Sequence, residues 1–304
     1  MLLIGMFLIP KYASAQNYVD ILEIGYAMTT GNAFEGTNEE TQVTSFEANL
    51  TLPIVLDKNY STAIIAGAIF SLNRLQLFPS EKGMQTPYTN LYSTTLKIGL
   101  DTSFNDKLGM TLVMLPKMAS DYSQISGNDL FFGGYGFLKL KKRDNLVYRL
   151  GVYSSTEAFG FYTTPIIGWY SLSENKKLEM DMYLPISADI NYTSGQFTYG
   201  FSYFGIGRSF NIEKDNSNTY VQLNALEFAG YFQFNNLFKN IILRAKTGYS
   251  TDDYEVHNYG DKIGFGFIAF NFNDDREQLN PKINGSMFFK LEAVYRFKLK
   301  NNQN

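Results

Sequence analysis

The segment from Leu178 to Ile190 alternates between two kinds of side chain. Apolar residues occupy every second position, and polar or charged residues occupy most of the positions between them. A period of two is typical of a β-strand with one apolar and one polar face. At about 3.3 Å per residue this segment predicts a single strand roughly 43 Å long, whereas globular strands usually have about five or six residues. Tilted by about 40°, such a strand crosses an apolar band of about 25 Å, so the pattern predicts a wall strand of a membrane β-barrel.

Comparable segments recur along the chain and are separated by turn-forming residues. Their hairpin-like connections, without a helical crossover, predict an antiparallel up-and-down meander. A loss of phase near Leu226 predicts a β-bulge there. Fourteen strands are predicted: Tyr18–Met28, Val43–Leu56, Tyr60–Leu72, Leu91–Phe104, Lys107–Met118, Phe131–Lys141, Leu146–Ser155, Phe161–Leu172, Leu178–Ile190, Gln196–Arg208, Thr219–Phe234, Ile241–Ser250, Lys262–Phe272 and Met287–Leu299.

The lengths of the connections support a barrel but leave its strand count open. Early in the chain, short turns such as Asp57–Asn59 and Asn105–Asp106 alternate with long loops, as the turns and loops of outer-membrane barrels do. The alternation fails at Tyr192–Gly195 and Asn235–Lys239, which are short where long loops are expected, so twelve strands is the alternative. A secreted β-sandwich is the competing architecture, but it would have to bury the charged faces of these strands.

Composition excludes several classes of protein. The chain of 304 residues has no cysteine, so disulfides and thiolate metal sites are excluded, and its net charge of −3 gives no reason to expect a nucleic-acid partner. Beyond the N-terminus there is no apolar run of about 18 residues, the length that a transmembrane helix needs. Nothing resembling a linker divides the chain, so one domain is expected.

The N-terminal residues predict export. Met1–Pro10 is apolar, and Ala13-Ser14-Ala15 has the small residues of a signal-peptide cleavage site. We therefore expect a signal peptide over residues 1–15 and a mature barrel over residues 16–304, beginning at Gln16. The alternative is that the apolar stretch is a buried N-terminal strand.

The end of the chain resembles a known class. Glu292–Phe297 is similar to the aromatic terminal signature of outer-membrane barrels. Together with the export signal and the segment from Tyr183-Leu184-Pro185 to Asn191-Tyr192, it resembles an uncharacterised outer-membrane β-barrel family of Bacteroidota-type bacteria. The resemblance covers nearly all of the mature chain. It implies a bacterial outer-membrane location, contact with outer-membrane lipid, and recognition of the C-terminal strand by the assembly machinery. It carries no catalytic motif.

The polar faces of the strands supply the candidate site. They carry acids and bases in nearly equal number, so strong charge selectivity is not expected. Either cross-strand ion pairs fill the lumen, which we favour, or the lumen is a polar pore with a binding site. The lumen-facing candidates are Glu23, Glu47, Lys97, Asp101, Lys139, Arg149, Glu179, Asp181, Asp189, Arg244, Lys246, Lys290, Glu292 and Arg296.

No other chemistry is predicted. The single histidine, His257, has only Ser250 and Glu255 nearby in sequence as partners for an esterase, and we expect it to be a solvated loop residue. The acidic loop segments Thr251–Asp253 and Asn273–Asp275 lack the spacing of a dedicated Ca²⁺ loop, so no metal, cofactor or catalytic residue is predicted. We expect passive or facilitated passage of a small solute. The alternative is a non-transport envelope role through the loops, and the oligomeric state is left open.

Overall fold

Fourteen long antiparallel strands form one closed sheet in the computed structural model, which describes residues 18–56, 61–80, 86–213, 218–268 and 270–298. Consecutive wall strands pair with each other, and the last pairs with the first. The predicted fold class, an all-β up-and-down barrel of fourteen strands, is confirmed. The wall strands are β1 (Tyr18–Thr29), β2 (Thr44–Val55), β3 (Thr62–Leu75), β4 (Thr89–Ser103), β5 (Leu108–Ser120), β6 (Leu130–Arg143), β7 (Leu146–Glu157), β8 (Gly160–Leu172), β9 (Leu178–Leu184), β10 (Ser187–Ser194), β11 (Phe197–Ile212), β12 (Thr219–Phe238), β13 (Ile241–Ser250) and β14 (Ser286–Lys298).

Shorter elements lie in the loops between wall strands. A 3₁₀ turn covers Gly127–Asp129, and short strands cover Asn32–Ala33, Glu40–Thr41, Asp253–Asn258, Phe265–Phe267 and Phe270–Phe272. Within the described ranges, no helix has the length and apolar character needed to cross a membrane. The predicted signal peptide and the mature start at Gln16 lie outside the described residues.

The segment that predicted one long strand is a hairpin. β9 and β10 pair antiparallel, with Met182 opposite Ala188, and the chain turns at Pro185. Paired residues share a face of the sheet, and here the partners are an even number of residues apart, so the alternation continues through the turn without a break. Periodicity alone could not reveal this turn, and the prediction of a single strand over Leu178–Ile190 is wrong.

A second correction restores the alternation of turn lengths. The predicted strand Lys262–Phe272 is not part of the wall, because it contains only the two short strands of a loop hairpin between β13 and β14. With β9 and β10 counted separately, every connection at the end of the barrel that carries the chain termini has two to six residues. We call this the terminal end and the opposite end the loop end. The strand count was correct because the two errors cancel.

Apolar side chains cover the outside of the wall. Large hydrophobic residues such as Leu96, Leu150, Phe201 and Leu291 are roughly half exposed or more, while the residues between them turn inward. In water such a surface would be unfavourable, whereas hydrocarbon matches it. We refer to these outward apolar side chains of the wall strands as the outer belt.

The loop end of the lumen is closed by packed side chains. The upper parts of β11 and β12 lean inward, so that Asn211 pairs with Ser120 of β5 on another part of the wall. Buried apolar residues from the loops and the strand ends pack around this hairpin. This loop-end core consists of Phe34, Val43, Leu75, Leu77, Leu91, Ala119, Phe131, Phe210, Val221, Leu223, Ala225, Tyr254, Val256 and Ile283.

The loss of phase near Leu226 has its origin in this core. β12 pairs with β11 from Thr219 to Phe234 without a register shift, so the predicted bulge is absent. On the side of Leu226 toward the terminal end, apolar residues such as Phe228 point outward into the outer belt. On the side toward the loop end, apolar residues such as Leu223 point inward into the loop-end core. The hydrophobic face therefore changes side while the backbone continues regularly.

Candidate functional site

The charged residues predicted to face the lumen are withdrawn from the outer surface. All fourteen are buried or half-buried. Lys139 shows the contrast most clearly, since it is 8% exposed while its neighbours Leu138 and Leu140 are 49% and 51% exposed. The wall strands therefore separate an ionised face from an apolar one, as the alternation predicts.

One carboxylate organises the centre of this set. The Glu292 side chain is 1% exposed, and its carboxylate forms ion pairs with three cationic side chains. Arg244 Nη1 lies 3.1 Å away, and the Nζ atoms of Lys246 and Lys290 lie 3.2 Å away. Two further acids lie at the edge, with Glu23 4.0 Å from Arg244 and Glu47 3.8 Å from Lys290. These three acids and three bases form the central charge cluster: Glu23, Glu47, Glu292, Arg244, Lys246 and Lys290.

Separate ion pairs involve strands of the remaining wall. Lys139 Nζ lies 2.6 Å from Asp101 Oδ2, and Arg149 pairs with Asp181. Arg296 Nε lies 2.6 Å from Asp20 Oδ1, an acid that was not among the predicted residues. Eleven of the fourteen candidates are thus in ion pairs, as expected of a lumen whose charges neutralise one another.

The other three candidates are held by neutral hydrogen-bonding groups. Lys97 donates to Asn49 and, at 2.5 Å, to Thr51 Oγ1. Glu179 accepts a hydrogen bond of 2.7 Å from the Tyr18 hydroxyl. Asp189 accepts from the Tyr231 hydroxyl at 2.9 Å and from Asn191 Nδ2 at 2.7 Å.

A cavity of about 450 Å³ lies within the lumen beside the central charge cluster. Its charged lining is mostly acidic. Among the described residues, neither Asp189 nor Glu227 has a cationic partner within 4 Å. We call this space the luminal cavity, and its charged lining consists of Glu23, Glu47, Asp181, Asp189, Glu227, Glu292, Lys246 and Lys290.

Sequence reasoning missed several charged residues of the interior. Glu227 lies on the inward face of β12, but the presumed bulge beside it obscured its phase. Lys117 and Glu157 form an ion pair of 2.6 Å between β5 and β7, and the Glu157 side chain is fully buried. Glu157 Oε2 also accepts from the Ser209 backbone N–H and hydroxyl, each at 2.8 Å. These contacts join strands that are not adjacent in the wall, so no local pattern could have predicted them.

His257 lies in the long connection between β13 and β14, on the short strand Asp253–Asn258. We expected a solvated side chain, but His257 is buried. Its Nδ1 is 2.8 Å from the Glu277 carbonyl oxygen and its Nε2 is 3.4 Å from Glu255. Ser250, its candidate partner, instead donates to Asp252 at 2.7 Å. Ser250 and His257 therefore form hydrogen bonds with other groups and do not form a Ser–His pair.

One acid of each acidic loop segment has a partner within the protein. Hydrogen bonds from Arg276 lower the pKa of Asp274 to about 2, and Asp252 is buried beside Ser250. Within the described ranges, no group of three or more His, Asp or Glu side chains is arranged to hold a metal ion.

Comparisons with known proteins find similarity only among solved structures. No protein-family model matches the chain, and no curated protein matches it. An outer-membrane channel from Pseudomonas putida F1 is 10% identical with a TM-score of 0.44, over 98% of this chain and 100% of that one. The P. putida toluene transporter TodX is 12% identical with a TM-score of 0.37, over 92% and 90%. The NanC porin is 10% identical with a TM-score of 0.33, over 90% and 98%. Values this low identify no solute for this chain.

Proposed function

We propose that this protein is a bacterial outer-membrane barrel that passes a small solute by facilitated transport. The observation that carries the proposal is a closed barrel with an apolar outer belt around a charged luminal cavity of about 450 Å³. This volume lies within the range of about 300–1,000 Å³ that is usual for small-molecule sites. The excess of carboxylates in its lining favours a solute with positive charge or several hydrogen-bond donors. The residues in contact with the solute would be those of the luminal cavity.

Passage would require movement at the loop end. The inward-leaning part of β11 and β12 is fixed to the wall by Glu157, which accepts two hydrogen bonds from Ser209 and pairs with Lys117. Such a cover is expected to make transport gated and not freely diffusive. Its loosening would connect the luminal cavity to the outside.

Membrane insertion is tested by the mobility of the protein on a gel. A closed barrel keeps its backbone hydrogen bonds within the sheet and resists detergent. We therefore expect the protein extracted from membranes to migrate at different positions before and after boiling. A protein that stays soluble without detergent and shows no such shift would exclude the proposed location.

Transport is tested by loosening the cover in planar bilayers. The double variant Lys117→Met with Glu157→Gln removes both charges of the pair and weakens the contacts to Ser209. Because a hydrogen bond to a charged acceptor is worth about 1 kcal/mol more than one to a neutral acceptor, and two such bonds are weakened, we expect open events to become roughly tenfold more frequent than in the parent. The matched control is Lys139→Met with Asp101→Asn, which removes a similar pair that does not contact the β11–β12 cover.

The second candidate function is a non-transport envelope role through the loops. The packed loop-end core favours it, because a structural or adhesive barrel has no need of an open lumen. Absence of conductance in the parent and in the loosened variant, with both properly folded, would support this candidate. In either case we propose a non-enzymatic role, and we propose that β14, which completes the barrel by pairing with β1 and β13, is the strand recognised by the assembly machinery.

A further inference from the structure

The barrel wall is incomplete above the β9–β10 hairpin. This hairpin turns at Pro185, while the adjacent strands β8 and β11 extend farther toward the loop end. β8 pairs with β9 only from Ile167 to Leu172, and β10 reaches β11 only as far as the pair Ser187–Phe204. The upper parts of β8 and β11 therefore lie on either side of a gap in the wall.

A loop hairpin partly fills this gap. Its first strand, Phe265–Phe267, pairs with β8 through Tyr162 and Thr163. Within the described ranges, its second strand, Phe270–Phe272, has a residue-by-residue pairing only with the first. All four phenylalanines at the ends of these strands are exposed, and Phe265 stacks on Phe161 of the outer belt with ring centroids 6.0 Å apart. The apolar belt thus continues onto this hairpin, which leaves an unsealed edge facing β11.

A cavity of about 710 Å³ lies between the loop hairpin and the outer faces of β11 and β12. Its apolar lining includes Tyr203, Leu226 and Tyr249, and the last two also belong to the outer belt. The cavity therefore begins at the surface that faces lipid, and it shares one lining residue, Tyr203, with the luminal cavity. Polar groups from the connection between β13 and β14, including Asn271, line its other side.

One of these polar groups lacks a partner. Asp253 lines the cavity, and its Oδ1 atom is buried without a hydrogen-bond partner among the described residues. Burial and the carboxylate of Glu255 raise the pKa of Asp253 to about 6, although Lys282 opposes the shift. Near neutral pH the group therefore remains mainly ionised. The Asp253 carboxylate lines the cavity without a hydrogen bond or an ion pair among the described residues, so a charged donor within the cavity would stabilise it.

We propose that this cavity binds an amphipathic amine that enters from the outer leaflet. Its ammonium group would donate to Asp253, and its apolar chain would lie against Tyr203, Leu226 and Tyr249. The site lies outside the lumen, so this inference does not depend on whether the barrel conducts.

The test is calorimetric titration of the full-length protein in lipid nanodiscs with decylamine, corrected for uptake by empty nanodiscs. Decylamine should bind saturably at pH 8, and decanol, which has the same chain without the charge, should bind at least about tenfold more weakly. Asp253→Asn should lose a similar factor for decylamine. Asp274→Asn is the matched control, because Asp274 pairs with Arg276 and does not line the cavity.

The pH dependence gives a second readout. The titratable groups around Asp253 are Glu255, Lys282 and the cavity tyrosines Tyr162, Tyr203 and Tyr249. An alkylammonium, like a lysine, stays charged below pH 10, so the affinity should follow the ionisation of Asp253. It should be nearly constant above about pH 7 and fall below pH 6 toward the affinity of the Asp253→Asn variant, whose own affinity should not change over this range.

A second variant tests the site without changing the Asp253 carboxylate, so that a loss of binding can be distinguished from misfolding. Gly207 lines the cavity, and a Cβ atom there would meet only Asn224 Oδ1, at 3.8 Å. Gly207→Leu should therefore fold, as the gel shift would show, and yet reduce decylamine binding by filling the site. Equal binding by the parent and by both the Asp253 and Gly207 variants would overturn the proposal, as would uptake no greater than that of empty nanodiscs.

Discussion

Replacing Glu292 by glutamine is expected to destabilise the barrel by about 3–5 kcal/mol, the usual cost of removing one partner from a buried ion pair. Glutamine keeps the size of the side chain but leaves Arg244, Lys246 and Lys290 without the carboxylate that all three contact within 3.2 Å. Their mutual repulsion is then offset only by the longer contacts of Arg244 with Glu23 and of Lys290 with Glu47. Urea unfolding in lipid vesicles, followed by fluorescence and by the gel shift, measures the loss.

Two further variants separate charge balance from the loss of a hydrogen-bonding atom. Adding Lys246→Met to Glu292→Gln lowers the excess positive charge and should recover part of the stability. Glu47→Gln is the matched control, because the Glu47 side chain is 36% exposed and its single ion pair is 3.8 Å long, so its loss should cost about 1 kcal/mol or less. Equal stability of the two single variants would mean that Glu292 does not organise the central charge cluster.

The sequence was sufficient for the architecture because alternation, turn residues and the separation of charged from apolar faces all agree on a barrel. It was insufficient for the strand boundaries wherever one long strand and a hairpin have the same alternation of apolar and polar residues. The turn at Pro185 preserves parity, so β9 and β10 looked like one strand. The alternation of short turns with long loops did contain the missing information. The short connections Tyr192–Gly195 and Asn235–Lys239 fall at the terminal end only when the turn at Pro185 is counted.

Apolar residues of the loop end illustrate a different limit. Leu223 and Phe210 are hydrophobic like Phe228, but they are buried in the loop-end core, whereas Phe228 lies on the outer belt. A change in the environment of the strand therefore looked like a bulge in its backbone. Hydrophobic periodicity reports which face is apolar, and it cannot say whether that face meets a membrane or a protein core.

The charged residues of the interior were predictable one by one but not in their partnerships. Asp101 and Lys139 lie on the two strands that flank β5, and Lys117 and Glu157 lie on the two strands that flank β6, so each pair skips one strand. Which acid meets which base depends on the register, the tilt and the inward lean of β11, and none of these is encoded locally. The cavity that contains Asp253 depends in the same way on a gap between non-adjacent strands.

Placing arginine at Leu291 is expected to cost about 2–4 kcal/mol, the penalty for a cation on the lipid face near the midplane of a barrel. Leu291 lies at the middle of β14, opposite Ala245 and Tyr26, and is 68% exposed on the outer belt. Leu184, the middle of the apolar run in the sequence, is unsuitable because it lies at the end of β9 beside the turn. Leu291 also directly precedes Glu292, so the two variants test opposite faces of one strand.

The matched control is Leu291→Gln, which introduces a polar side chain of similar size without a charge. We expect Leu291→Arg to fold into lipid vesicles with a much lower yield than the parent and Leu291→Gln to lose less, both scored by the gel shift. In detergent micelles the difference should shrink, because an arginine side chain there reaches water more easily than it does in a bilayer. If Leu291→Arg folds into vesicles as well as the parent, the outer belt does not face hydrocarbon. The membrane location would then lose its main physical support, even though the barrel itself remained closed.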